Sequence, residues 1–195
     1  MTVGTLRTLG LLVCSFFISC VTLSAQTVAP GSAAAPAASP GRIGFEVAGG
    51  PAFEVATAGE RESQFAVLGV PAMTIRVLSW FDYAVEGHLS RHLTPESGNV
   101  FGIVPIAFRV HTKGRTQAHV SLGAGIVWTD LAGVHGLDQR RNYITQLGAG
   151  IARVRANGSA VSVEGRFFHL SNLNGAPPNL GMEVFAVLVG YRFPR

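Results

Sequence analysis

The sequence predicts an all-β chain, an eight-stranded antiparallel transmembrane β-barrel of the outer-membrane type. Three observations carry that prediction. The first is composition: 48% of the 195 residues are hydrophobic and only 13% are charged, about half the charged share usual in a soluble domain. The second is the abundance of glycine, 24 residues scattered through apolar sequence. It argues against a helical bundle, because each interior glycine costs a helix about 1 kcal/mol. The third is a period-two alternation from residue 42 onward, broken by turn residues at fairly regular intervals.

The N-terminus reads as a targeting segment. Arg7 precedes a nearly unbroken apolar run over 8–23, and Leu23-Ser24-Ala25 closes it with small residues. This is the layout of a secretory signal peptide over 1–25. Phe17-Ile18-Ser19-Cys20 offers a looser lipoprotein box as an alternative cleavage site. Cleavage after Ala25 removes Cys14 and Cys20, the two cysteines of the chain. No disulfide, zinc–thiolate or thiol-nucleophile chemistry is then available in an oxidising compartment. Residues 26–41 are a Pro/Ala-rich linker with nothing large enough to pack, and residues 42–195 form the barrel.

Strands are expected at about 42–57, 65–78, 81–91, 100–110, 117–130, 143–155, 160–171 and 181–193. The connections 58–64, 92–99, 131–142 and 172–180 are longer and more polar. Those around Ser79-Trp80, at 111–116 and at 156–159 are short. Long loops at one end and short turns at the other are the build of an outer-membrane barrel.

Facing separates a membrane barrel from a soluble, lipocalin-like one. Strand three alternates Phe81, Tyr83, Val85 and Leu89 against Asp82, Ala84, Glu86 and His88. Strand five alternates Val120, Leu122, Ile126 and Trp128 against His119, Ser121, Gly123 and Gly125. The interior of an eight-stranded barrel has room only for side chains, and the small and polar set suits that crowded side. The apolar set then faces lipid. Glu46, Arg76, Arg109, Gln146, Glu164, Arg166 and Arg192 fall on the inner parity, where charges of both signs can pair. Strands four and six alternate less cleanly. Phe193 supplies the aromatic residue with which such barrels generally finish, two residues before the end.

The formal charge of +4 comes from 14 arginines and Lys113 against 11 acids, spread rather than clustered. A nucleic-acid partner is therefore not expected. Of six histidines, His88 and His119 read as satisfied lumen residues, while His92, His111 and His135 fall in loops or turns without ligand-type neighbours. No metal or other cofactor is expected.

His169 differs. It stands two residues before Ser171 at the end of strand seven, so the two share one face of the strand. That face is the lipid-side parity of Phe167 and Val163, and in strand eight the same parity carries Phe185 and, at the near end, Glu183. A carboxylate on a barrel's lipid face is expensive unless it is interfacial or partnered. Serine, histidine and carboxylate thus converge at one point outside the barrel. A histidine can take the proton of a serine nucleophile while a carboxylate orients the ring. Asn172 stands ready to donate its amide to a developing oxyanion. A polar interfacial cluster without catalysis fits the spacing equally well.

The run His169-Leu-Ser171-Asn172-Leu-Asn-Gly-Ala-Pro-Pro178-Asn179-Leu-Gly181-Met-Glu183 resembles the signature of the lipid A 3-O-deacylases, eight-stranded outer-membrane serine hydrolases. Their pattern is His-x-Ser-Asn, five residues, then Pro-Asn-x-Gly-x-Glu. The resemblance implies Ser171 as nucleophile, His169 as general base, Glu183 as orienting acid and Asn172 in the oxyanion hole. It departs at Leu173-Asn174, where the family often has Ala-Gly. With the N-terminus periplasmic, the constellation lies at the outer leaflet. The expected substrate is lipid A of lipopolysaccharide, with an ester-linked, 3-O acyl chain as the group removed. That chain would lie near Phe167 and Phe185, and Arg140 and Arg141 would either meet the lipid's phosphates or belong to a solvated loop. Outer-membrane lipids are the other partners, and a homodimer is left open. The alternative is a non-enzymatic barrel with a structural or adhesive role.

Overall fold

The computed structural model describes residues 42–56, 62–132, 137, 139–173, 175 and 181–194. The expected signal peptide and linker, His135 and the motif residues 174 and 176–180 lie outside them. Eight strands follow in chain order: β1 (Ile43–Ala56), β2 (Phe65–Leu78), β3 (Phe81–Thr94), β4 (Gly98–His111), β5 (Thr116–Thr129), β6 (Arg141–Val154), β7 (Ala160–Ser171) and β8 (Met182–Arg192). Every neighbouring pair is antiparallel, and β1 pairs with β8 to close the barrel. The shortest strand has 11 residues, enough for the roughly 9–11 that a tilted strand needs to cross a bilayer.

The expected boundaries are met to within a few residues, with one correction. The connection expected over 92–99 is only 95–97, because β3 and β4 keep pairing out to His92↔Gly98. The other connections at that end, 57–64, 130–140 and 172–181, are long, and those at 79–80, 112–115 and 155–159 are short. His92 and His111 are accordingly strand residues rather than loop residues, and both are buried facing the lumen.

The two faces separate as the alternation predicts. Apolar side chains stand on the outside, with Phe45 59%, Ile151 58% and Val189 58% exposed. A water-soluble barrel would not present such a belt, whereas a lipid-facing one must. The blurred alternation of strand four has a local cause. Its register shifts between Ile103 and Ile106, so Val104 and Ala107 both point inward while Pro105 and Ile106 stay outside. An extra residue of this kind is a β-bulge, which changes the parity of everything beyond it. Strand six, by contrast, alternates cleanly, with Asn142, Ile144 and Gln146 inside and Tyr143, Thr145 and Leu147 outside.

The lumen is packed with side chains in two parts. Towards the short turns it is ionic. Arg166 reaches Glu86 at 2.7 Å and Glu164 at 2.8 Å, and Gln146 donates to Glu86 at 2.6 Å. Glu164 also accepts from Ser121 at 2.7 Å and lies 3.2 Å from His119. Arg109 and Arg192 hold Glu46 from two sides, and Arg76 pairs with Asp82. A Cβ on Gly148 would sit 2.0 Å from Glu164 Oε1 and 2.6 Å from Ser121 Oγ, so a side chain there would displace this hydrogen-bonded pair. Towards the long loops Leu68, Phe168, Leu170, Met182 and Val184 form an apolar layer with His88 edge-on to Phe168, and buried Glu54, Gln64, His92 and Asn142 lie at the rim beyond it.

Candidate active site

The end of β7 is held in register from within. Phe168 and Leu170 point into the apolar lumen at 1% and 3% exposure, which puts Phe167, His169 and Ser171 on the outward parity, although Ser171 is itself buried at 7% exposure. A slip of one residue would reverse both sets. In β8, Met182 and Val184 are buried in the same way, which turns Glu183 and Phe185 out. The hairpin register then places His169 directly opposite Glu183 and Phe167 directly opposite Phe185.

His169 Nδ1 lies 3.9 Å from Glu183 Oε1, with both side chains about two-fifths exposed. That is ion-pair distance, longer than a formed hydrogen bond. Ser171 is the last residue of β7, on the same face and opposite Tyr143 of β6. Among the described residues its hydroxyl makes no hydrogen bond. In enzymes without substrate such contacts are often long and tighten only in the complex. Asn172 follows at once, buried at 5% exposure, and its backbone carbonyl accepts the Gly175 N–H at 3.1 Å. The four residues singled out in the sequence are therefore gathered at one corner. Only the His169–Glu183 pair is in direct reach.

Two backbone features shape this corner. Gly181 has φ +69°, and a Cβ there would stand 3.1 Å from both the His169 ring and the Leu170 carbonyl. Both the left-handed turn and the open space beside the imidazole need glycine. Just beyond the end of β7, Leu173 adopts φ +54° and is exposed. This is the position at which the sequence departs from the family pattern, and a branched side chain there occupies a conformation that glycine takes freely. Beside Glu183, the β1–β8 pairing is irregular between Glu54 and Ala56, as is common next to active sites.

Sequence reasoning missed the β6 side of the corner. Tyr143 faces Ser171 and Thr145 faces His169 across the β6–β7 pair. The signal was present in the alternation of Tyr143, Thr145 and Leu147 against Asn142, Ile144 and Gln146, but the Gly148-Ala149-Gly150 run obscured it. Arg141, expected in the 131–142 connection, is instead the first residue of β6. Below the corner, Phe167 and Phe185 lie side by side, and Phe185 meets Phe53 with ring centroids 5.7 Å apart.

Comparison with known proteins adds a decisive observation. Residues 72–192 match the family model described as lipid A 3-O-deacylase (PagL). The chain belongs to that family. No curated protein matches it in sequence. Among solved structures, the outer-membrane enzyme PagL is similar with a TM-score of 0.55 at 17% identity, covering 79% of this chain and all of the other. Neisserial surface protein A (NspA) is similar with a TM-score of 0.62 at 8% identity, covering 78% of this chain and 97% of the other. At these identities the structures speak for the fold alone: a closed eight-stranded barrel. The apolar outer belt and the family together make the protein an integral outer-membrane barrel.

Proposed function

We propose that the protein is a serine esterase that removes an ester-linked acyl chain, the 3-O chain, from lipid A of lipopolysaccharide. The observation that carries this reading is His169 opposite Glu183 on the lipid face, with Ser171 one position further along the same face. Ser171 Oγ attacks the ester carbonyl as His169 takes its proton. Glu183 orients the ring and stabilises its cation. Asn172 donates to the oxyanion that develops as the carbonyl becomes tetrahedral. Collapse expels the sugar hydroxyl, protonated by His169. Water then repeats the cycle on the acyl-enzyme and frees the fatty acid. The acyl chain lies along the apolar wall at Phe167 and Phe185, at the bilayer depth where the substrate's own chains reside.

The position at the long-loop end supports the same reading. Outer-membrane barrels have longer extracellular loops and short periplasmic turns, which sets the corner at the outer leaflet, where lipopolysaccharide is found. The test is mass spectrometry of lipid A from purified lipopolysaccharide incubated with the detergent-solubilised protein. Loss of one hydroxyacyl mass with release of the free acid is expected. Unchanged lipid A, or equal release by a folded Ser171→Ala variant, would return the protein to a structural or adhesive role.

A further inference from the structure

The cation closest in register to the site is Arg141, and its setting differs from that of the other strand arginines on the outer wall. Arg141 faces outward at the loop end of β6, paired with Trp128 of β5. Two residues further along the same face is Tyr143, directly opposite Ser171. Arg141 is thus the diagonal neighbour of Ser171, about 7–8 Å away and within reach of a long side chain. Among the described residues Arg141 has no hydrogen bond and no ion pair. Arg91, outward near the loop end of β3, donates to Asn99 at 3.2 Å, and Arg153, at the turn end of β6, donates to Thr116 at 2.6 Å. The acid at the end of β5 is not available to Arg141 either. Asp130 accepts the Asn99 backbone N–H at 2.5 Å and its side-chain amide at 2.8 Å, and these bonds hold its carboxyl below the usual range.

We infer that Arg141 is the contact for a phosphate group of the substrate's sugar head group, the anion that seats the ester over Ser171. This rests on the lipid A reading above. An unpaired guanidinium at the head-group level of an outer wall presents a planar fork of donors that matches phosphate oxygens. Trp128 beside it supplies an interfacial aromatic surface. Because a phosphate and an acyl ester share one rigid sugar unit, anchoring the first limits which ester reaches the nucleophile. Arg141 then determines specificity and takes no part in proton transfer.

The experiment measures binding and turnover separately, in non-ionic detergent, with phosphorylated lipid A and with the same lipid A after phosphatase treatment. Binding is measured in a Ser171→Ala background, which leaves the ester uncleaved. That protein should prefer the phosphorylated form by about tenfold or more, the scale of one hydrogen bond to a charged group. Adding Arg141→Gln should bring the ratio close to one, while Arg141→Lys keeps part of it as a point charge. In the active protein Arg141→Gln should raise KM for the phosphorylated form far more than it lowers kcat. Arg153→Gln, on the same face at the other end of β6, should leave the ratio as it was. An unchanged binding ratio in Arg141→Gln overturns the inference. So does an effect of Arg141→Gln that appears only when anionic phospholipid is added, since the contact is then to neighbouring lipids. If the ratio collapses as expected but no form of the protein releases acyl chains, the phosphate contact stands and the esterase reading falls.

Discussion

The β7–β8 hairpin carries two glutamates whose surroundings could hardly differ more. Glu164 points into the lumen and is saturated: Arg166, Ser121 and His119 all reach its two oxygens. Glu183 points to lipid, half exposed, with His169 at 3.9 Å. Inside, a charge taken from water must be fully partnered, and removing one partner leaves the others exposed to the full desolvation cost. Outside, at the membrane–water boundary, a carboxylate can stay only loosely paired, as Glu183 is with His169. Saturated groups hold the barrel. On the proposed reading, the loosely paired ones do the chemistry.

Variants on each side test this contrast, and the largest effect belongs to the outer face. Ser171→Ala and His169→Ala should each abolish deacylation, a loss of about 10⁶-fold by analogy with other serine triads. The double variant should lose hardly more, because the members of a serine triad act as a unit. Heat-modifiable migration on gels should be retained in all three, since neither side chain supports the lumen. Acyl release from purified lipopolysaccharide reads the first effect and gel shift the second.

Glu183→Ala should be milder, about a hundredfold less damaging than loss of the nucleophile, because an unoriented imidazole keeps its basicity. Steady-state kinetics on the folded variant would show kcat falling more than KM rises. A loss as complete as that of Ser171→Ala would mean that Glu183 does more than orient.

In the lumen the order of effects reverses. Arg166→Met leaves Glu86 and Glu164 without their shared cation and should cost about 3–5 kcal/mol, read as a lower unfolding midpoint in urea or a smaller folded fraction on gels. Whatever barrel folds should keep much of its turnover. Severe loss of activity from a fully folded Arg166→Met protein would break the division between the two faces.

The smallest effect is expected at Gly181, which touches both regions. Gly181→Ala must hold φ +69° and push against the His169 ring. The strain is on the order of 1–2 kcal/mol, and it should appear as a modest loss of both stability and turnover. The chemical midpoint and the specific activity would be compared in one preparation.

Local pattern alone determined much of this protein. Alternation over residues such as Phe81–Leu89 shows a barrel with an apolar outside, because side chains on a strand change face at every residue and lipid accepts only one of the two sets. The motif from His169 to Glu183 was legible for the same reason: its partners are two residues apart on one strand or joined by one hairpin. Other features depend on where distant strands meet. The Pro105–Ile106 bulge reverses the parity of β4; the mid-strand proline hints at an irregularity, but only the pairing with β5 decides that the parity changes there. The short β3–β4 connection depends on His92 finding room inside the lumen. Tyr143, Thr145 and Arg141 come to the site only through the β6–β7 register, which the packing of Ile144, Phe168 and Leu170 in the lumen decides. Sequence determines what each face of a strand can tolerate, and only closure of the barrel determines which faces meet. The register between strands is a collective property of the whole ring of side chains they enclose.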